Sequence, residues 1–171
     1  MNAPILLTDR SILLPFVRED LSLFLQLNTD PFVRQYLWDD EIISQQQADE
    51  ILEQNMSYFK GDDFGLWKIV DKHSNAVLGY TGLWYFFEES QPQLIYILRE
   101  IHTGRGLATE CAGRIMRYAF ERLGFSHLVA AMDESHHASQ RVAERLGMQQ
   151  VEKRLENGKP TLIYRIDKSD Q

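Results

Sequence analysis

A glycine loop opens a long amphipathic helix near the middle of the chain, and together they narrow the folds open to it. The loop reads Gly104-Arg105-Gly106, and apolar residues then recur at three- and four-residue spacing until Gly124 provides a stop. Glycine lets the backbone approach a ligand closely, and the first N–H groups of a helix have no intrahelical partner. Because these donors lie at the positive end of the helix dipole, the loop and helix start together predict an anion site.

Strand-like segments lie on both sides of this helix. The run 93–99 before the loop and the run 127–132 after the helix are both rich in apolar residues, with branched and aromatic side chains prominent in the first. The order strand, loop, helix, strand predicts a right-handed βαβ crossover, with the helix at 107–123. Since ligands of such units bind at the carboxyl ends of the strands, we expect the anion site just after residue 99.

Two common phosphate-binding motifs are absent from this loop. A nucleoside triphosphate loop needs Gly-Lys followed by Ser or Thr, whereas Gly106 is followed by Leu-Ala-Thr. A dinucleotide-binding loop needs a third glycine, and Thr109 occupies that position. The loop therefore predicts a different phosphate-bearing ligand.

The segment 104–110, Gly-Arg-Gly-Leu-Ala-Thr-Glu, resembles the coenzyme A loop of the GNAT N-acetyltransferase superfamily, whose motif is Gln/Arg-x-x-Gly-x-Gly/Ala. It is most similar to the branch that contains the ribosomal-protein N-terminal (Rim-type) acetyltransferases. Further family elements are resembled, in the family's order, by Leu7-Thr8-Asp9-Arg10, Asp30-Pro31-Phe32-Val33 and the segment 139–148. The resemblance covers nearly the whole chain, which implies a single acetyltransferase domain over residues 1–171.

The resemblance implies an α/β (α+β) fold, in which about four or five helices flank a mixed, mostly antiparallel central sheet of six to seven strands. Local patterns agree with this expectation. Ser44 and Gln47 have the spacing of a helix capping box, and Asp30-Pro31 is typical of a helix start. Hairpins are predicted across the polar turn 71–75 and across Asn157-Gly158.

The resemblance also implies acetyl-CoA as co-substrate, with no metal, and it assigns residues to the coenzyme. Main-chain groups at the end of strand 93–99 would hold the thioester and pantetheine, while the loop and first helical turn would hold the pyrophosphate. The expected coenzyme-binding residues are Ile97, Leu98, Arg99, Gly104, Arg105, Gly106, Leu107, Ala108, Thr109, His136 and Ser139. Ser139 matches the family serine that protonates the sulfur or fixes the pantetheine, and a helix-start hydrogen bond is its alternative role.

Three positions depart from the family pattern. Ile101 replaces the Gln or Arg that begins the loop, and His136 replaces an asparagine that contacts pantetheine. Gln93 replaces a glutamate that often acts as base, and its amide cannot accept a proton usefully at neutral pH. The predicted catalytic residues are Ser139 and His136, of which His136 is a candidate base. The other candidate bases are His137, Glu134, His102 and the pair Glu88-Glu89.

Two functions of different classes remain open. The first is an N-acetyltransferase that acts on a peptide or protein N-terminus or on a small primary amine. The second is a coenzyme A binder that has lost catalysis, as the replacements at Gln93 and His136 permit. Acceptor-binding candidates are Trp38, Trp84, Glu88 and Glu89, although aromatic residues of a strand usually pack a core and exposed glutamates are often only solvated.

Composition limits the partners. A net charge of −7 argues against nucleic acid and suits a cationic acceptor, although an acidic balance also simply aids solubility. No segment is apolar and long enough to predict a membrane span. The single cysteine, Cys111, cannot form an internal disulfide and fits a cytoplasmic location, and a monomer or a homodimer is expected.

Overall fold

In a computed structural model, the structure describes residues 3–171, which form a mixed α/β fold. The strands are β1 (Leu6–Leu7), β2 (Ser11–Pro15), β3 (Leu66–Asp71), β4 (Val77–Trp84), β5 (Gln93–Leu98), β6 (His127–Asp133), β7 (Gln149–Glu156) and β8 (Lys159–Asp167). The α-helices are α1 (Leu21–Thr29), α2 (Pro31–Leu37), α3 (Gln45–Asp62), α4 (Leu107–Glu121) and α5 (His137–Arg145). Over the described range 3–171, none of the helices has the length and apolar character needed to cross a membrane.

The strands form two antiparallel sheets. One sheet has five strands in the order β1-β2-β3-β4-β5, and the other has three in the order β6-β8-β7. The predicted mixed α/β class and mostly antiparallel pairing are confirmed. Within residues 3–171 the structure has eight strands, divided between two sheets, where one central sheet of six to seven strands was expected. Helix α4 connects β5 to β6 as predicted, yet those two strands contact each other while belonging to different sheets. The expected βαβ unit is therefore open between its strands.

Helices cover both faces of the larger sheet. Alternate residues of a strand point to opposite faces, and Trp67 and Ile69 of β3 pack in a cluster with α4, whereas Leu66 packs in a second cluster with α1 and α3. Cys111 of α4 is fully buried in the first cluster, and burial raises the pKa of its thiol to about 11. The thiol is thus an inert core group, as the sequence predicts.

Most predicted helix ends and turns are present. Ser44 and Gln47 form the capping box of α3, with hydrogen bonds of 2.8 and 3.1 Å. Asp30 caps α2, accepting from the N–H groups of residues 32 and 33 at 3.0 and 3.3 Å. Strand β4 ends at Trp84, and the left-handed φ values of 53° and 56° at Phe87 and Glu88 are ones that a strand does not accommodate.

Candidate functional site

The glycine loop has the backbone conformation that its sequence predicts. Gly104 and Gly106 both have a φ of 77°, in the left-handed region that favours glycine. The first main-chain bond of α4 runs from the N–H of Glu110 to the carbonyl of Gly106, so the N–H groups of residues 107–109 have no helical acceptor. Thr109 Oγ1 is buried and finds no hydrogen-bond partner among the described residues. These donors together form a cradle suited to an anion.

Arg10 braces this loop from the start of β2. Its backbone N–H and its Nε donate to the carboxylate of Glu110 at 2.9 and 2.7 Å, and its Nη1 donates to the carbonyl of Arg105 at 2.8 Å. Burial raises the pKa of Glu110, but hydrogen bonds from Arg10 and Thr8 outweigh it and hold this pKa below the usual value. One side chain therefore ties the loop to the first turn of α4.

A cavity of about 310 Å³ leads from the glycine loop along the end of β5 to α5. We call it the loop cleft, and the predicted coenzyme residues that line it are Ile97, Leu98, Gly104, Gly106, Leu107, Ala108, Thr109, His136 and Ser139. Arg99 and Arg105 are not among its lining residues. Arg141 and Arg145 of α5 do line it, and sequence reasoning missed them. Their spacing of one helical turn was the available signal, since it places both guanidinium groups on one face.

A second cavity, of about 620 Å³, lies between β5 and β6, where the two sheets separate. We call it the strand cleft. Its aromatic lining residues include Trp38, Phe86 and Phe87. Its acidic lining residues, which we call the acidic wall, are Asp39, Glu41, Asp133 and Glu156. The Trp38 indole is fixed because its Nε1 donates to Oδ1 of the buried Asn28 at 3.0 Å, and the same oxygen accepts from the Tyr80 hydroxyl at 2.7 Å.

Of the predicted acceptor residues, only Trp38 lines the strand cleft. Trp84 packs against Tyr58, with ring centroids 5.1 Å apart, and neither Glu88 nor Glu89 is among the lining residues. Glu89 instead pairs with Arg154 at 2.8 Å. Phe87 and Glu88 form a left-handed turn after Trp84, and the acidic residues of the cleft come from other loops and strand ends.

One cation already lies among the carboxylates of the strand cleft. Nζ of Lys159 is 2.8 Å from Oδ1 of Asp39 and 3.7 Å from Oδ2 of Asp133. Burial raises the pKa of Asp133, an effect that the Lys159 charge opposes only in part. Asp133 ends β6, and its position after a strand-like run was the sequence signal for it.

The two clefts meet at residues that line both, namely Tyr36, Tyr96, Ile97, His136 and Ser139. Tyr96 Oη donates to the carbonyl of Ser139 at 2.9 Å, and Ser139 Oγ donates to Tyr96 Oη at 3.3 Å. Burial raises the pKa of Tyr96 to about 12, so its hydroxyl keeps its proton near neutral pH. Sequence reasoning missed Tyr96, although its polar tip next to the loop could have suggested it.

His136 is stacked on Tyr36 at this junction, with ring centroids 3.7 Å apart and planes 8° from parallel. Burial, and to a lesser extent the neighbouring His137, lowers the pKa of His136 to about 4. Its imidazole is therefore neutral at pH 7 and a weak proton acceptor. Of the other candidate bases, His102, Glu134 and His137 line neither cleft.

The chain belongs to the acetyltransferase (GNAT) domain family, whose model matches residues 10–149. It is similar to the Bacillus subtilis protein YkkB, with 32% identity over 149 residues that cover 86% of each chain. An acetyltransferase structure from Agrobacterium tumefaciens has 22% identity and a TM-score of 0.84, over 98% of this chain and 96% of that one. The structure of RimL, a ribosomal L7/L12 alpha-N-protein acetyltransferase, in complex with coenzyme A has 16% identity and a TM-score of 0.79, over 96% and 98% of the two chains.

These findings confirm the predicted superfamily, and Rim-type enzymes are among the structural neighbours. The general activity of the family is acetyl transfer. Within the described residues 3–171, no group of three or more His, Cys, Asp or Glu side chains could hold a metal ion.

Proposed function

We propose that this protein is an acetyl-CoA-dependent N-acetyltransferase that acts on a primary amine, either a peptide or protein N-terminal α-amine or a small amine. The observation that carries the proposal is the meeting of the two clefts at Tyr96 and Ser139. One cleft begins at an anion cradle, and the other has carboxylates and aromatic rings suited to a cation. A ligand in each would bring its reactive end to the same place.

The loop cleft fits coenzyme A. Its cradle offers main-chain donors and the unpaired hydroxyl of Thr109 to a pyrophosphate, and Arg141 and Arg145 add positive charge for the phosphates. Ile97 and Leu98 end β5 at the opening between the sheets, where main-chain groups can hold the pantetheine. When bound, acetyl-CoA supplies an activated acetyl thioester to the junction.

At the junction, this chain provides a proton donor rather than a strong base. Tyr96 retains its proton at neutral pH and is oriented by its two hydrogen bonds with Ser139, so we assign it as the donor to the departing sulfur. Its proton leaves the Ser139 carbonyl for the thiolate while Ser139 Oγ still donates to Tyr96 Oη, and the proton lost by the attacking amine restores the phenol. Gln93 cannot act as base, and the lowered pKa of His136 leaves it a poor one. An α-amine, whose reference pKa is about 8, is partly neutral at pH 7 and needs the least help.

The acidic wall of the strand cleft, together with a net charge of −7, supports a cationic acceptor and argues against nucleic acid as a partner.

We also propose that residues 1–171 form one domain. The family match ends at residue 149, but β8 lies after it and is the central strand of the smaller sheet. The match therefore stops before the fold does.

The test measures thiol release from acetyl-CoA over a panel of small amines and peptides, with the products identified by mass spectrometry. Tyr96→Phe should lower kcat about 100-fold or more, because it removes the proton donor together with its two hydrogen bonds to Ser139. The Kd of coenzyme A should change little, because the anion cradle is left intact. Tyr118→Phe is the matched control, since the Tyr118 hydroxyl donates to the carbonyl of Asp63, outside both clefts. Tight coenzyme binding without any acetylated product would favour the second candidate, a non-catalytic coenzyme A binder.

A further inference from the structure

Gln93 is a buried amide without a partner. Its side chain begins β5, lines the strand cleft and is only 2% exposed. Among the described residues, neither Oε1 nor Nε2 of Gln93 has a hydrogen-bond partner. Buried polar side chains in folded proteins are almost always hydrogen bonded, so this amide needs an explanation.

The fold itself has no use for this amide. Its neighbours in the strand cleft include Leu94, Ile95 and Met132, and Thr161, which is also buried, donates its hydroxyl to the carbonyl of Lys159. A methionine would fill the same volume without the cost of burying unpaired polar atoms. The amide is therefore suited to a ligand that enters the strand cleft.

The position of Gln93 sets the length of such a ligand. It lies three residues before Tyr96 and four before Ile97 on the same strand, which at about 3.3 Å per residue is about 10 to 13 Å from the junction. A small amine that reacts at the junction is too short to reach it. An acceptor that contacts Gln93 while its amine reacts must be elongated.

The burial of Gln93 sets the chemistry of the contacting group. The carboxylates of the cleft are exposed or already paired: Glu41 is exposed, Asp39 and Asp133 share Lys159, and Glu156 pairs with Arg154. Gln93 is almost completely buried and is itself neutral. An ammonium group at that depth would lose hydration and would have to compete with Lys159 or Arg154 for a counter-ion. A neutral amide could instead donate to Oε1 and accept from Nε2.

We propose that Gln93 is a specificity-determining residue, which hydrogen bonds a neutral amide of an elongated peptide acceptor about 10 Å from the reacting amine. This inference rests on the proposed function and narrows it to peptide N-termini of about three residues or more. A peptide in extended conformation spans this distance in about three residues.

The experiment uses the amides of one to four alanine residues as acceptors, together with spermidine as an elongated acceptor without an amide. For the wild-type protein, kcat/KM should rise about 10-fold or more at the first peptide long enough to reach Gln93, because the buried amide then gains its partner. Replacing the contacting peptide amide by an ester should remove most of this increase. In Gln93→Met, the ratio of kcat/KM between the longest and shortest peptides should fall about 10-fold.

Gln91→Met is the matched control. The Gln91 amide already donates to the carbonyl of His127 at 2.8 Å and does not line the strand cleft, so this variant should keep the wild-type ratio. Without ligands, Gln93→Met should melt at the same temperature as the wild type or higher, because it removes unpaired buried polar atoms. A lower melting temperature would show that the fold needs the amide, and would overturn the inference.

Two further results contradict the inference. One is a length dependence that Gln93→Met leaves intact, or that is absent from the wild type. The other is a loss confined to spermidine, which would assign Gln93 to a polyamine instead. If neither this series nor the wider panel of amines and peptides yields an acetylated product, the proposed function fails. Calorimetric binding of the same alanine peptides to the protein saturated with coenzyme A then decides the role of Gln93. Binding that does not depend on length and on Gln93, or no binding at all, overturns it.

Discussion

Replacing Arg10 by Met should weaken coenzyme A binding without removing any group that we assign to the ligand. The change keeps the aliphatic stem but deletes the Nε contact to Glu110 and the Nη1 contact to the Arg105 carbonyl. Hydrogen bonds that involve a charged group typically contribute about 1.5 to 3 kcal/mol each. Because the Arg10 side chain is 48% exposed and that of Glu110 19%, we reduce the total to about 1.4 kcal/mol, which is about a tenfold increase in Kd.

Isothermal titration calorimetry of coenzyme A measures this change directly. Arg18→Met is the matched control, because Arg18 is a similarly exposed arginine whose ion pairs with Asp49 and Glu53 lie on α3. That variant should bind as the wild type does. A Kd for Arg10→Met within about twofold of the wild type, which is about 0.4 kcal/mol, would show that the brace does not preorganise the loop.

Three further predictions test other parts of the site. Gly106→Glu should abolish coenzyme A binding in calorimetry, since it adds bulk and negative charge beside the cradle. The control Gly158→Glu should bind normally, because Gly158 has a similar φ of 78° but lies in the β7–β8 turn. Equal binding by both variants would refute the cradle. Asn28→Ala should lower the free energy of unfolding in urea by about 2 to 4 kcal/mol, because it leaves the Trp38 and Tyr80 donors unpaired, and a loss below about 1 kcal/mol would contradict this reasoning. The imidazole of His136 should titrate near pH 4 in NMR. Because the unfolded chain protonates this group near pH 6.5, it should lower stability progressively as the pH falls from about 6.5 to about 4, and a midpoint near pH 6.5 would contradict its burial.

Local patterns predicted the features that depend on neighbouring residues. The left-handed glycines of the loop, the capping box at Ser44 and the turn at Asn157-Gly158 each follow from a few adjacent side chains, and the structure contains all three. The resemblance to the family predicted the mixed α/β fold in which these features occur. It also led to the family assignment that the matched domain confirms.

Features that depend on distant contacts could not be predicted in this way. The runs 93–99 and 127–132 have strand-like composition whether or not the two strands pair, so the opening between β5 and β6 was not visible. Arg10 contacts a loop that lies 95 residues away in sequence. The acidic wall of the strand cleft is assembled from three separate parts of the chain, and only the end of β6 carried a local signal. The left-handed turn at Phe87 and Glu88 has no glycine at either position, so the sequence did not indicate it.

The residues shared by both clefts have a kinetic consequence. The side chains of Tyr36 and His136 line both clefts. A coenzyme in the loop cleft would therefore form part of the surface that the incoming amine contacts. We expect the thioester carrier to be the leading reactant in a sequential mechanism, with the free carrier departing last. Double-reciprocal plots should then intersect, and the free carrier should compete with acetyl-CoA but not with the amine.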